Sequence, residues 1–126
     1  MIVIDTDVLI EIFEKASNLG ETAFSKIEKS MEEFATTAIN LHEVLHGTIK
    51  YGKPSEYIAV LPVLSYTKAD AVLSSELEYR AEAKGRRVTK PDAMIAAIAI
   101  NNGAKLYTFN KSHFKGFEDL GLNLFS

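Results

Sequence analysis

The chain has no cysteine, which excludes a disulfide framework, a thiol nucleophile and a thiolate zinc site, and fits a reducing compartment. It has no long hydrophobic run either. The longest, Ala93 to Ile100, is too short to span a bilayer, so no membrane-embedded role is expected. Met1 to Ile10 lacks the length and the basic lead-in of a signal peptide and carries Asp5 and Asp7 in its middle. It therefore reads as structure, and a cytoplasmic protein is expected. An excess of positive charge is also missing. With a formal net charge of −3, broad electrostatic coating of nucleic acid is excluded, and any such contact has to come from a local basic patch.

What is present suffices for one domain over residues 1–126: 47% hydrophobic residues can close a core of this size. No repeat, linker or low-complexity tract divides it. Met1 to Ile4 reads as a buried strand feeding, through Asp5 and Thr6, a helix with Val8, Leu9, Ile12 and Phe13 on its apolar stripe. Ala23, Ile27, Met31 and Phe34 predict a second helix, and Ala35 to Ala38 a short strand. Asn40 is expected to cap a third helix carrying Leu41, Val44, Leu45 and Ile49, ended by Gly52 and Pro54. A helical turn at Tyr57 to Leu61 and a strand at Val63 to Tyr66 follow. Thr67-x-x-Asp70 forms a capping box for a long helix that stops at Gly85. Thr89-x-x-Asp92 with Pro91 opens a helix to Asn102, Gly103 ends it, and Ala104 to Phe109 reads as a strand. Leu122 to Phe125 predicts a last edge strand.

Strands alternating with helices imply crossover connections and an α/β fold, its parallel sheet covered on both faces. In such sheets ligands gather at the carboxyl ends of the strands. Asp5, the Asn40 to Glu43 turn, the segment from Arg86 to Asp92, and Thr108 to Asn110 fall there. Asp5, Glu43 and Asp92 can meet at that end, and several converging carboxylates make an oxygen-only site for a hard cation such as magnesium. Taken singly, each has a plainer explanation: Asp5 as a helix cap, Glu43 and Asp92 as acids favoured in a first helical turn.

Four segments then carry a resemblance. Ile4-Asp-Thr-Asp-Val-Leu9, Leu41-His-Glu-Val-Leu-His-Gly47, Lys90-Pro-Asp-Ala-Met-Ile-Ala-Ala97 and Leu106-Tyr-Thr-Phe-Asn-Lys-Ser-His-Phe114 resemble the four blocks of PIN-domain proteins, in particular VapC-type toxins of toxin–antitoxin pairs. The likeness covers nearly the whole chain in the right order. It implies a three-layer α/β/α domain with a central, mostly parallel sheet of four or five strands. It also implies a magnesium- or manganese-dependent endoribonuclease, acting as a homodimer and held inactive by a cognate antitoxin. By this resemblance Asp5, Glu43 and Asp92 are the metal-binding acids, Asp7 lies near the metal, and Asn110 fills the fourth catalytic position, where many relatives have Asp. The amide is the weaker ligand, which bears on a second metal. Thr6 and Thr108 are expected to support the carboxylates from behind.

The segment from His42 to His46 is also a literal H-E-x-x-H, the zinc peptidase signature with histidines four apart on one helical face. The extended form of that motif would need Gly and His where Ile49 and Gly52 stand, leaving only Glu56 or His113 as substitute ligands. This reading also leaves Asp5 and Asp92 unused. Asp5-Thr6-Asp7 after an apolar strand resembles haloacid-dehalogenase phosphatases, but the later lysine with a downstream acidic pair is not found. A PIN-like RNA-binding or partner-docking module without efficient turnover is the remaining alternative, motivated by Asn110. For RNA itself, Arg86, Arg87, Lys90 and Lys111 are the expected phosphate contacts; with Lys84, Lys105 and Lys115 they make up half of the 14 basic residues. Tyr51, Tyr66, Tyr79 and Tyr107 are expected to be core or interface residues more than base-stacking ones.

Overall fold

In the computed structural model, which describes residues 1–52 and 56–126, the first strand lies at the centre. β1 (Ile2–Ile4) is flanked by β2 (Phe34–Thr37) and β4 (Lys105–Tyr107), with β3 (Val63–Leu64) and β5 (Asn123–Leu124) at the edges, in the order β3-β2-β1-β4-β5. Every pairing is parallel. The three apolar residues of β1 are fully buried because the sheet is covered on both sides. Successive side chains of a strand point to opposite faces. Val3 and Leu106 accordingly enter the core under α4 (Lys68–Ala83) and α5 (Lys90–Asn101), while Ile2, Ile4 and Tyr107 enter the core under α1 (Thr6–Leu9), α2 (Asn18–Ser30) and α3 (Ala38–Tyr51). The α/β/α layering and parallel sheet expected from the sequence are present, with five strands.

Local signals explain most of the boundaries. At Thr67 and Asp70 both capping-box bonds form, and Asp70 also accepts from Asn101 Nδ2 at 2.8 Å, tying the start of α4 to the end of α5. Gly85 and Gly103 follow these two helices in the left-handed region, at φ 72° and 62°. α5 buries Ala93, Ala96, Ala97 and Ala99, and their small side chains let its backbone lie close against the neighbouring layer. Among the described residues no helix is long and apolar enough to cross a membrane.

Four expectations need correction. The second helix ends at Ser30, with Met31 as its left-handed C-cap at φ 62°, and Phe34 belongs to β2. Phe34 fitted the helical period because it packs against the same core as Ile27 from a different element. Asn40 is not a cap: Thr37 caps α3 and Asn40 sits one turn inside, fully buried. Glu43 is therefore in the second helical turn. β3 and β4 are shorter than expected, since the chain beyond Leu64 turns toward the Thr67 cap and the segment after Tyr107 leaves the ladder for the site. A short helix α6 (Lys111–Phe114) and a 3₁₀ segment (Lys115–Leu120) follow β4, unforeseen, and bury Phe114 and Phe117. Pro54 lies outside the described residues.

Between α1 and α2 the chain makes a π-helical turn, Ile10–Glu14. The first turn of α2 rests directly on it: a Cβ at Gly20 would stand 2.0 Å from the carbonyl oxygen of Glu11. Both partners are backbone, so neither can rotate away. Gly20→Ala is expected to lower stability by about 1–3 kcal/mol, the usual cost of overpacking, read as a fall in thermal midpoint. An unchanged midpoint would mean that α2 slides freely over this turn.

Candidate active site

The chain runs outward from β1 to β2 and β3 on one side and to β4 and β5 on the other, so β1 and β4 meet where the direction of winding reverses. Loops diverge at such a point and leave a crevice beyond the carboxyl ends of the strands. Asp5 ends β1 and Thr108 follows β4, and a cleft of about 440 Å³ opens there, lined by Asp5, Thr6, Asp7, Glu43, Thr89, Asp92, Asn110 and His113, with Ile10, Pro91 and Phe114 as its apolar wall.

Asp5 is buried, at 7% exposure, and both of its carboxylate oxygens are engaged. Oδ1 accepts from the Thr6 amide at 2.9 Å and from Asn40 Nδ2 at 2.8 Å; Oδ2 accepts from the Thr108 hydroxyl at 2.7 Å. Asn40 is itself fixed: Thr37 Oγ1 donates to its Oδ1 at 2.7 Å, and its Nδ2 also reaches Thr6 Oγ1 at 2.9 Å. The Thr6 hydroxyl then donates to Glu43 Oε1 at 2.8 Å. One line of hydrogen bonds thus runs from β2 through Asn40 to Asp5 and, by way of Thr6, to Glu43. Asp7 accepts from the amides of Val8 and Phe109 at 2.8 and 3.1 Å, so it ties α1 to the segment after β4.

These carboxylates act on one another. Burial raises Asp7 to about 6, and the charge of Asp5 adds to the effect against the amides of Val8 and Phe109. Glu43, exposed as a whole residue, is raised by partial burial in the cleft, and by Asp5 and Asp92, against the hydrogen bond from Thr6 and the nearby His42. Asp92 is raised by burial, opposed by Thr89 and His113, with Asp5 adding to the rise. Like charges sharing a half-buried cleft hold their protons more tightly. An oxygen-only donor set under mutual repulsion is what a hard divalent cation relieves, so the residues fit magnesium or manganese. The acids face one cleft without closing into a cage: among the described residues no three His, Asp or Glu side chains stand close enough to enclose an ion by themselves. Magnesium, which keeps several waters, needs no such cage.

Asp5, Glu43, Asp92, Asn110, Thr6 and Asp7 come together in the cleft, with Thr108 directly behind Asp5. Asn110 begins α6, its side chain making no capping bond. The expected basic residues do not line the cleft. Arg86 packs over Gly116 and lines a separate depression with Ser112, Lys115, Glu118 and Asp119. Lys90 is held by Glu78 at 2.8 Å, and Lys105, at the amino end of β4, by Glu32 at 2.9 Å. Arg87 is exposed beside the cleft-forming loop, and Lys111 lines a groove with Tyr107, Phe109 and Phe125. His42 and His46 are exposed on α3 and acquire no third ligand among the described residues. Tyr107 is core, Tyr66 bonds Ser74, and Tyr51 and Tyr79 are exposed.

Two residues of the site were missed. Asn40 looked like a helix cap, and only its spacing of three from Thr37 hinted otherwise. His113 was weighed only as a substitute zinc ligand, whereas it faces Asp92.

The sequence profile of the PIN domain matches residues 2–119. In shape the chain is similar to VapBC2 from Rickettsia felis bound to a DNA fragment from its promoter, with 23% identity, a TM-score of 0.81 and 100% of each chain covered. It is similar to VapBC-1 from nontypeable Haemophilus influenzae at 18% identity and TM-score 0.79, covering 100% of this chain and 98% of that one. A toxin–antitoxin complex from Klebsiella pneumoniae aligns at 24% identity and TM-score 0.74 over 92% of each chain. The comparison with curated proteins gives no significant match.

The raised acids carry a signed pH dependence. Asp7, Glu43 and Asp92 bind protons more tightly folded than unfolded. Their contribution to stability is therefore complete below their ordinary carboxylate values and is lost as pH rises through the folded ones, near 6 for Asp7. Glu32 has the opposite sign, being lowered by hydrogen bonds from Lys105 and the amino terminus, but it acts only at lower pH. The thermal midpoint of metal-free protein should thus fall between about pH 5 and about pH 7, and manganese should raise it more at the upper end. A manganese shift independent of pH would show that the ion binds elsewhere.

Proposed function

The chain belongs to the PIN domain family, and from that premise we propose that it is a metal-dependent endoribonuclease, the toxin of a VapBC-type pair. The observation that carries this reading is the cleft at the end of β1, where the buried, triply hydrogen-bonded Asp5 meets Asp7, Glu43 and Asp92. Asp5, Glu43 and Asp92 would hold magnesium or manganese, with Asp7 and Asn110 at the edge of the coordination sphere. A divalent ion there supplies neutralisation of a phosphate oxygen and a more acidic water for in-line attack on the phosphodiester.

The chain's own contribution is placement. Asp5 cannot turn, because Thr6, Asn40 and Thr108 fix both of its oxygens. Glu43, tethered through Thr6, and Asp92, in the first turn of α5, face it from two other elements. The raised proton affinities of Glu43 and Asp92 would make metal loading and their deprotonation a single linked event. Thr108 also accepts from the Asn110 amide at 3.0 Å, which holds the start of α6 beside Asp5.

A cognate antitoxin is proposed because the structural neighbours are VapBC and toxin–antitoxin complexes. A homodimer is proposed because Ile49 and Tyr51, late in α3, and Val60 are large apolar residues left 82%, 68% and 83% exposed on a single chain. The setting is the cytoplasm, where RNA is at hand. Asn110 favours one second reading, a PIN-like module that binds RNA or a partner with little turnover. An uncharged amide at the cleft weakens a second metal position. Cleavage, compared with binding alone, separates the two.

On antitoxin-free protein with manganese and RNA, Asp92→Asn is expected to abolish cleavage with no fall in thermal midpoint, because burial already penalises the charge that it removes. His42→Ala and His46→Ala should keep most of the activity. Wild-type rates from Asp92→Asn would end the acidic-cluster mechanism, and a dead His46→Ala enzyme would return the argument to zinc.

A further inference from the structure

The carboxylates of the cleft that would receive a polyanion, Asp5, Asp7, Glu43 and Asp92, are not matched by any Lys or Arg in its lining among the described residues. Among the Lys, Arg and His residues of the described chain, His113 alone lines it. Of the four residues that the sequence assigns to phosphate, three lie apart from it, Arg86 over Gly116, Lys90 against Glu78 and Lys111 in another groove, and the fourth, Arg87, is exposed outside the cleft lining. His113 is on α6, whose position is set by the buried Phe114 next to it and by the His113 amide, which donates to the carbonyl of Asn110 at 3.0 Å. Its backbone is anchored, and its ring is in solvent at the cleft wall, with the side chain 59% exposed.

The ring is not committed elsewhere. Nδ1 stands 3.7 Å from Asp92 Oδ2, beyond hydrogen-bond reach, and among the described residues the imidazole makes no side-chain hydrogen bond. Thr89 and Asn110 offer only neutral groups on the same wall. A phosphodiester placed against Asp5 and Asp92 needs donors for its non-bridging oxygens, and an imidazole N–H on the wall beside Asp92 supplies one in either charge state.

Resting on the nuclease reading, we propose that His113 is a substrate-contacting residue that donates a hydrogen bond to a non-bridging oxygen of the RNA phosphate lodged in the acidic cleft. It acts on binding of the RNA more than on the chemical step. It places one phosphate donor inside the cleft itself, where the lining holds no Lys or Arg among the described residues.

The test uses full-length, antitoxin-free protein, manganese and a short fluorescein-labelled single-stranded RNA of mixed sequence. Steady-state cleavage is measured for wild type, His113→Ala and His113→Arg, and RNA binding is measured by anisotropy with calcium in place of manganese. Thermal midpoints establish that each variant is folded. His113→Ala should raise KM, and weaken binding, by about tenfold or more, the usual weight of a hydrogen bond to a charged group. Its kcat should change much less, and His113→Arg should restore KM and binding. If wild type cleaves and His113→Ala leaves KM unchanged, the inference falls while the nuclease reading stands. A fall in kcat alone, with a higher manganese requirement, would make His113 a positioning residue for Asp92 and would equally overturn it. If wild type neither binds nor cleaves the RNA, both fall together.

Discussion

A carboxylate buried at the end of the central strand has to be satisfied by its surroundings, because an ionised group removed from water without partners is prohibitively unstable. The partners of Asp5 come from three places: its own helix start at Thr6, α3 through Asn40, and the segment after β4 through Thr108. These are the segments that leave β1, β2 and β4. The order of the sheet and the position of the acid are thus one requirement. Were β4 to pair elsewhere, Oδ2 would lose its donor; were α3 to shift by a turn, Oδ1 would lose Asn40. The neighbouring core residues Ile4, Thr36 and Thr37 hold that arrangement rigid from below, with the Thr36 hydroxyl bonded to the Ile4 carbonyl at 2.7 Å.

Electrostatics divides the molecule into two regimes. On the exposed surface, several cations are matched: Lys90 with Glu78, Lys105 and the amino terminus with Glu32, Lys84 with Asp119. Such exposed pairs add little stability; of these cations Lys90 is near the acids in sequence, two residues before Asp92, and Glu78 engages it. In the cleft, by contrast, Asp5, Asp7, Glu43 and Asp92 share a lining whose one Lys, Arg or His among the described residues is His113. On the proposed reading the two regimes together make the affinity for RNA conditional. Without a divalent ion the cleft repels phosphate, and with one it attracts it, so the anion and the metal reinforce each other's binding.

The sequence carried the fold at the points where local chemistry decides it. The capping box at Thr67 and Asp70, the Thr89 cap with Pro91, and the glycines at 85 and 103 set helix ends whatever the tertiary surroundings. Asp5, Glu43 and Asp92 were legible because a strand end and helix starts in alternating order must meet at one side of a parallel sheet. What was not legible depends on tertiary contact. Phe34 matched a helical period although it belongs to a strand, since the shared core, not the element, sets where it points. Asn40 has the composition of a cap, and its true partners are 34 and 35 residues away in the chain. The pairing of Lys90 with Glu78 was not legible either, because the two sit on different helices.

The hydrogen bond between Thr108 and Asp5 spans 103 positions in the chain, and β1 pairs with β4 across a similar interval, Ile2 opposite Lys105. Contacts so distant in sequence form late and slowly. A nascent polypeptide still tethered to the ribosome therefore holds β1 with one of its two flanking strands absent, and its first acid with one oxygen unsatisfied, until nearly all of these residues have emerged. Fragments from interrupted translation or proteolysis lack the assembled cleft for the same reason. On the proposed reading, competence to cleave RNA would come only once the segment around Thr108 has reached Asp5, so the acidic cleft stays incomplete while most of residues 1–126 are being made.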